Sequence, residues 1–459
     1  MDSPQQSKEE QTLLILPHFI KPLWTPSEVI LQDFTKQKLA SIFDFLEKID
    51  YLISLHYLPS KKKAHNLVIF LKFFEQFSQK DLDFFLQIFV PKLAHLALKI
   101  KDLFPESVLL LKQNMEKTVL LTKKQIACLI ANMFFCTFHR QNSPKLPKHC
   151  NFLYLYSEEL PSRTPLKLNK LKCFYNYLTR ELNSESVEFV IFQRILLRPE
   201  FMKNSLNFWA KSKSPLKNSS FELKPGKIEN ANPKQYLKTV FSNKKLGGGV
   251  LNNGGLQEEL TFCMNCEMLI STLVFEELED YEAALFLGCE QYNLTENYGE
   301  KFLFLADYKD KTPNDVFGKK DTVFIGMDAI QFEDKKEQYR LNLIVRELNK
   351  AYLGFQTCDS IENNNDRAIA TGKWGCGDFQ GDFELKMIIQ WLAASENKRD
   401  IRFYLNGEED EKKYQGFSER MKGKNVGEMV GILKDFSKTY VDDNVDVGVF
   451  EFIRDFWNE

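Results

Sequence analysis

Apolar residues recur at helical spacing through the first part of the chain. Leu39, Ile42, Phe43, Leu46, Ile49 and Ile53 keep the i, i+3, i+4, i+7 rhythm that places them on one helix face. Leu67, Phe70, Leu71 and Phe74 repeat it, as do Leu82, Phe85, Leu86 and Phe89. Prolines at 59, 91, 105, 144, 147, 161, 165 and 199 are expected to end or kink these helices. Further along, the pattern alternates. Thr239 to Phe241, Ala283 to Leu287, Thr322 to Gly326 and Ile401 to Leu405 read as strands, the third extended by Ala329, Ile330 and Phe332. Glu267 to Leu278 reads as a helix, and Leu341, Ile344, Val345, Leu348 and Tyr352 mark an amphipathic one. Ala368 to Thr371 is mostly apolar and runs into a glycine-rich segment. Asp382 is placed to cap the helix whose apolar face is Leu385, Ile388, Ile389 and Leu392.

Glycine divides the chain. All 21 glycines lie at or after Gly226, so residues 1–225 are expected to be a helical accessory region and 226–459 an α/β domain. Histidine divides it the other way: His18, His56, His65, His95, His139 and His149 all precede Cys150. The abundant phenylalanine falls on the apolar faces and reads as core. Lys61-Lys62-Lys63 reads as a solvated turn. At 459 residues two domains are expected, and the 44% hydrophobic and 27% charged fractions describe a globular chain with ample core.

A formal charge of -2 leaves no global footprint for nucleic acid, so a polyanionic ligand would be met by a local site. Nine cysteines at irregular spacing do not form a secreted disulfide framework. The polar start from Met1 to Glu10 and the short Leu13 to Leu16 run are not a signal peptide, and no stretch approaches the ~18 consecutive apolar residues of a membrane span. An intracellular, nuclear or cytoplasmic, setting is expected.

With no histidine in the α/β half, Ser-His-Asp or Cys-His chemistry would need its base from the helical half, and no H-E-x-x-H, G-x-x-x-x-G-K-[ST] or G-x-G-x-x-G motif occurs. Cys263-Met264-Asn265-Cys266 is a lone CxxC at helical spacing, a pair of buried thiols rather than a metal site. Carboxylates remain. Gly247-Gly248-Gly249, a short run and Gly254-Gly255 lead into Gln257-Glu258-Glu259, where helical spacing begins. Such a loop can offer backbone N–H groups to a phosphate and an acid to a reaction. Two acids at a helix N-terminus are equally the ordinary partners of its dipole. Neighbours at i and i+1 point different ways on a helix, so the two are not expected to share one proton. The usual glycosidase pair, about 5 to 9.5 Å apart across the scissile bond, is not suggested by this dipeptide.

At these residues the chain resembles the poly(ADP-ribose) glycohydrolase family, whose signature is a GGG loop followed after a short spacer by QEE. Gly226-Lys227-Ile228-Glu229 resembles the family's G-x-I-E, and Phe241-Ser242-Asn243 its F-A-N. Glu290-Gln291-Tyr292 and Tyr298 match an E-Q-Y segment and a following tyrosine. Arg346 to Tyr352 is a looser match, and Ala370 to Phe379, with Gly372-Lys373-Trp374-Gly375-Cys376-Gly377, a close one. Leu166 to Cys173 is similar to the family's helical segment. Two departures stand out: Val240 occupies a position where relatives carry aspartate, and Ser242 replaces an alanine.

The resemblance implies a macrodomain-like fold, a mixed sheet between helices, preceded by an all-α accessory region. It implies hydrolysis of ribose–ribose O-glycosidic bonds in poly(ADP-ribose) carried on modified proteins, with no cofactor and no metal. Glu259 would be the general acid/base, with Glu258 and Gln257 positioning substrate and Asn243 contacting ribose. Ile228 and Glu229 would face adenine and Tyr298 stack on it. Gly247, Gly248 and Gly249, with Gly375, Cys376 and Gly377, would meet the diphosphate, and Phe379 pack beside the scissile ribose. The alternative is a non-catalytic reader of ADP-ribose or its polymer.

Overall fold

The computed structural model describes residues 13–456 apart from 37–38, 57–65, 140–142, 148–149, 217–220, 357–366, 406–413, 415, 418–420, 422 and 443–446. The Lys61-Lys62-Lys63 turn and the polar start lie outside the described residues. The periodic stripes of the N-terminal part form helices at Ile42–His56 and Val68–Phe74. The third stripe runs from Gln79–Phe84 through a π-helical turn, Phe85–Phe89, into Val90–Leu98. Pro91 therefore kinks nothing to a stop. The wider turn before it absorbs the hydrogen bond that proline cannot donate. Phenylalanines from these helices pack edge to face, Phe45 against Phe85 at 5.2 Å and Phe89 against Phe134 at 6.0 Å.

Ten strands are described: β1 (Lys117–Thr122), β2 (Phe189–Leu196), β3 (Phe221–Pro225), β4 (Tyr236–Ser242), β5 (Glu282–Leu287), β6 (Asn293–Glu296), β7 (Leu303–Asp307), β8 (Val323–Asp328), β9 (Ala368–Thr371) and β10 (Ile401–Leu405). Eight form one mixed sheet in the order β1-β2-β5-β8-β4-β9-β10-β3, while β6 and β7 make a separate hairpin. The β1-β2-β5-β8 side is antiparallel; from β8 through β4, β9 and β10 to β3 every neighbour is parallel.

The region before residue 225 is mostly helical but not all-α, since it supplies β1, β2 and β3. Lacking glycine restricts turns, not strands, and β1 and β2 are built of β-branched and apolar residues. One core joins the Phe-rich helices to one sheet face through Val190, Phe192, Val240, Ala284, Phe286 and Phe324. A second core covers the other face with the helices Leu341–Gly354, Phe383–Glu396 and Val426–Ser437. The sheet thus lies between two helical layers, and packing crosses the expected division at residue 225.

Two smaller expectations shift. The Glu267 to Leu278 segment is two short helical turns, Cys266–Ile270 and Ser271–Val274, because Phe275 leaves to bridge Leu111. The strand of Thr322 to Gly326 ends at Asp328, not Phe332. There Asp328 is buried on Arg346 (2.6 Å) and Lys350 (2.7 Å), and the Ile330 amide turns to Glu347 (2.8 Å).

Candidate active site

Parallel strands present their carboxyl ends on one side, the usual place for ligands in such sheets. Here β4 and β9 are neighbours, with Leu237 opposite Ile369, so both glycine-rich loops leave the same rim side by side. The Gly226-Lys227-Ile228 turn after β3 joins them. A cleft results in two parts. One, about 330 Å³, is lined by Ile228, Gln257, Tyr298, Gly375, Cys376 and Gly377 among others. The other, about 560 Å³, is lined by Asn243, Gly248, Gly249, Glu258 and Glu259. Phe241, Leu256, Asp378 and Phe379 border both and form the neck between them.

The carboxylates are built in from the backbone. The Gln257–Met264 helix begins with Gln257, Glu258 and Glu259, and the loop before it folds back over the helix N-terminus. Glu258, 4% exposed, accepts the N–H of Asn243 (2.9 Å) and of Gly247 (2.6 Å) on its two oxygens. Glu259, 8% exposed, accepts the N–H of Gly249 and of Leu256, each at 2.9 Å. The second of these bonds also caps the helix. Although the helix sends neighbouring side chains apart, the folded loop brings them together: a Cβ on Gly248 would lie 2.8 Å from Oε2 of Glu258 and 2.7 Å from Oε1 of Glu259. Burial, and then the Glu259 charge, raise the Glu258 carboxyl well above the usual range, against the pull of its two N–H donors. Glu258 therefore resists ionisation beside its neighbour.

This changes the expected part of the first loop. The N–H groups of Gly247 and Gly249 are spent on the carboxylates, and that of Gly248 on the Lys245 carbonyl (3.1 Å). They are engaged within the protein, so the loop shapes the acids and is not itself an open diphosphate cradle. Glycine is required at 248 because no side chain fits between backbone and carboxylates, and at both 247 and 248 because Gly247 and Gly248 have φ of 90° and 45°.

The second loop is different. Among the described residues nothing accepts the N–H of Gly375, Gly377, Asp378 or Phe379. The loop is held from below: Trp374 is buried and donates to the Met327 carbonyl (3.1 Å), while Lys386 lies 4.3 Å over its ring and 2.7 Å from Glu347. Asp382 caps the next helix through the Leu385 amide, as expected (2.8 Å). Burial pushes the Cys376 thiol up to about 12, so it stays protonated at neutral pH.

At the far end Tyr298 donates to Oε2 of Glu229 (3.0 Å), and Lys227 lies 4.6 Å over its ring. Glu229 is buried beneath this end of the cleft instead of lining it. Its other oxygen takes Gln257 Nε2 (3.1 Å) and the Thr261 hydroxyl (3.2 Å). Gln257 in turn accepts the Phe241 N–H (2.9 Å), which ties this end to β4. Gly247 is likewise buried behind the cleft. Val240 is 0% exposed inside β4, a core residue. Ser242 is buried as well, its hydroxyl on the Val240 carbonyl (3.2 Å).

Several contributors were not read from the sequence. Lys170, on the Thr164–Glu181 helix, donates to the carbonyls of Gly249, Val250 and Asn252. Its signal was a lysine on the otherwise apolar stripe of Leu166, Cys173 and Tyr177. Lys238 donates to the Glu229 carbonyl (2.8 Å), and burial lowers it to about 8. The E-Q-Y segment lies at the joint between the helices and the sheet. Glu290 pairs with Lys123 (2.5 Å) and Arg180 (2.6 Å), and the Tyr292 hydroxyl meets Glu181 and Glu267, each at 3.0 Å. Cys263 and Cys266 are buried. Among the described residues no group of three or more His, Cys, Asp or Glu side chains is arranged to hold a metal, and no helix is long and apolar enough to cross a membrane.

Comparison with known proteins agrees with this fold. Residues 76–194 match the family described as poly(ADP-ribose) glycohydrolase, helical domain, and residues 206–413 the one described as poly(ADP-ribose) glycohydrolase, macro domain fold. A probable poly(ADP-ribose) glycohydrolase 2 of Arabidopsis thaliana is 31% identical over 327 residues, 62% of each chain. The Arabidopsis poly(ADP-ribose) glycohydrolase 1 is 27% identical over 439 residues, 78% of each. A Caenorhabditis elegans poly(ADP-ribose) glycohydrolase 1 is 30% identical over 347 residues, 73% of this chain and 42% of its own. The matches thus span less than two thirds of the first and third relatives. With a helical region against a macro-type sheet and the complete loop signature on that sheet's rim, the chain belongs to the poly(ADP-ribose) glycohydrolase family.

Proposed function

We propose that the chain hydrolyses the ribose–ribose O-glycosidic bond of poly(ADP-ribose) on modified proteins and releases ADP-ribose. One observation carries the reading most: a two-part cleft with an anchored carboxylate pair in one part and open backbone N–H groups with an aromatic wall in the other. An ADP-ribose unit has a matching division, a ribose to be attacked and an adenine and diphosphate to be held. Tyr298 and Ile228 flank the adenine, with Glu229 and Gln257 fixing that wall from behind. The N–H groups of Gly375, Gly377, Asp378 and Phe379 meet the diphosphate without a basic surface. Asn243 faces the ribose, and Phe379 at the neck packs beside the scissile sugar.

Glu259 gives a proton to the leaving ribose oxygen as an oxocarbenium-like centre forms, then takes one from the attacking water. Glu258, held on two amides, keeps Asn243 and Gly247 in register and shapes the field around its neighbour. No cofactor or metal has a part in these steps. Residues 1–225 brace the catalytic region 226–459 through the shared core. The buried thiols suit a reducing, intracellular compartment.

The test is release of ADP-ribose from automodified polymer, comparing wild type with Glu259→Gln. Turnover is expected to fall by about 10²- to 10⁴-fold, the usual weight of a general acid/base, with ADP-ribose affinity kept. Binding without turnover in the wild type would make the chain a reader, and unchanged turnover in the variant would remove Glu259 from its role.

A further inference from the structure

Lysine is seldom fully buried, and then normally on a carboxylate. Lys170 is 0% exposed, in the middle of the Thr164–Glu181 helix, and donates to three carbonyls: Gly249, Val250 and Asn252, each at 3.1 Å. An ammonium has three donors, so donors and acceptors match one to one. Gly249 is thereby held from both sides, its N–H on Oε1 of Glu259 at 2.9 Å and its carbonyl on Lys170. Leu166, one turn earlier on the same helix, closes against Gly255, where an added Cβ would come within 2.8 Å of its Cδ2. Gly255 precedes Leu256, whose N–H holds the other oxygen of Glu259. One helix face therefore braces the backbone next to both amides that fix this carboxylate.

We infer that Lys170 is a positioning residue for Glu259, and that the Thr164–Glu181 helix is part of the catalytic centre and not a detachable scaffold. This rests on the glycohydrolase reading of the same site. Charge offers a readout. Burial lowers Lys170 to about 8. Cys263 and Glu259 on the facing helix work to raise it, and Lys167 on its own helix and Arg163 in the turn just before it to lower it further. A neutral amine has two donors and a lone pair, so above that pH one loop carbonyl loses its partner and the loop loosens.

The experiment uses the full chain. kcat and KM on poly(ADP-ribose), and Kd for ADP-ribose, are measured for wild type, Lys170→Met and Lys170→Arg across pH 6 to 10. Lys170→Met is expected to lose about 10²-fold in kcat, as for a misplaced catalytic group, with Kd within about twofold. Wild-type kcat is expected to fall as pH rises through about 8, and Lys170→Arg, always charged, to keep part of the activity without that fall. Unchanged kcat in Lys170→Met, or kcat and Kd lost together, overturns the inference. Should Lys170→Met fail to fold, an alkaline fall identical in wild type and Lys170→Arg overturns it alone. A wild type that binds ADP-ribose without turnover defeats the glycohydrolase reading instead. Amide exchange at Gly249 and Leu256, faster in Lys170→Met if the lysine holds the loop and unchanged if it does not, then decides separately.

Discussion

The two glycine-rich loops leave adjacent strands of one sheet and use glycine for opposite reasons. In Gly247–Gly249 the backbone is turned inward, and its N–H groups hold two carboxylates and a neighbouring carbonyl. A Cβ on Gly248 would strike both acids. In the Gly375–Phe379 segment the Cys376 N–H takes the Lys373 carbonyl (3.1 Å), but those of Gly375, Gly377, Asp378 and Phe379 find no acceptor among the described residues, and a Cβ on Gly377 meets nothing within 4 Å. The first loop is packed for rigidity and the second is open to a ligand. A glycine cluster in a sequence therefore does not by itself announce an anion site. What matters is whether the N–H groups are already occupied.

The comparison can be broken most sharply at Gly248. Gly248→Ala adds a carbon at φ of 45° against both carboxylates. It is expected to lower kcat by about 10²-fold while ADP-ribose affinity, read by calorimetry, changes little. A smaller effect is expected at the far end of the cleft. Glu229→Ala removes the partner of Tyr298, Gln257 and Thr261. It should raise KM about tenfold, the weight of one or two hydrogen bonds to a charged group, with kcat nearly kept. The smallest is Gly377→Ala, which leaves the N–H in place and fills open space. Steady-state kinetics within about twofold of wild type are expected. Equal damage from Gly248→Ala and Gly377→Ala would erase the distinction between the loops.

Much of this arrangement was legible in the residues. Strands before each glycine loop, the helix opening at Gln257 and the cap at Asp382 follow from local spacing, and local spacing is what a sequence displays directly. The cleft's inventory of Ile228, Tyr298, Cys376 and Phe379 came from motif resemblance. Three things were hidden for physical reasons. β1 and β2 are short, glycine-free apolar runs, which periodicity alone does not separate from buried helix. The occupation of the Gly247 and Gly249 amides depends on left-handed φ at Gly247 and Gly248, which fold the loop back over its own helix. Lys170 acts across roughly eighty residues of chain, and its partners are backbone carbonyls that carry no sequence signal. Similarly, Glu290 and Tyr292 were visible as a motif, but only the fold shows them at the joint with Lys123 and Arg180 and not in the cleft.

A crystal structure of the wild-type chain with ADP-ribose tests the division of labour between the loops most directly. The account predicts diphosphate oxygens within hydrogen-bond distance of N–H groups between Gly375 and Phe379, with Gly247 still on Glu258 and Gly249 still on Glu259. Diphosphate seated on the Gly247–Gly249 amides, with the two carboxylates displaced, would contradict it.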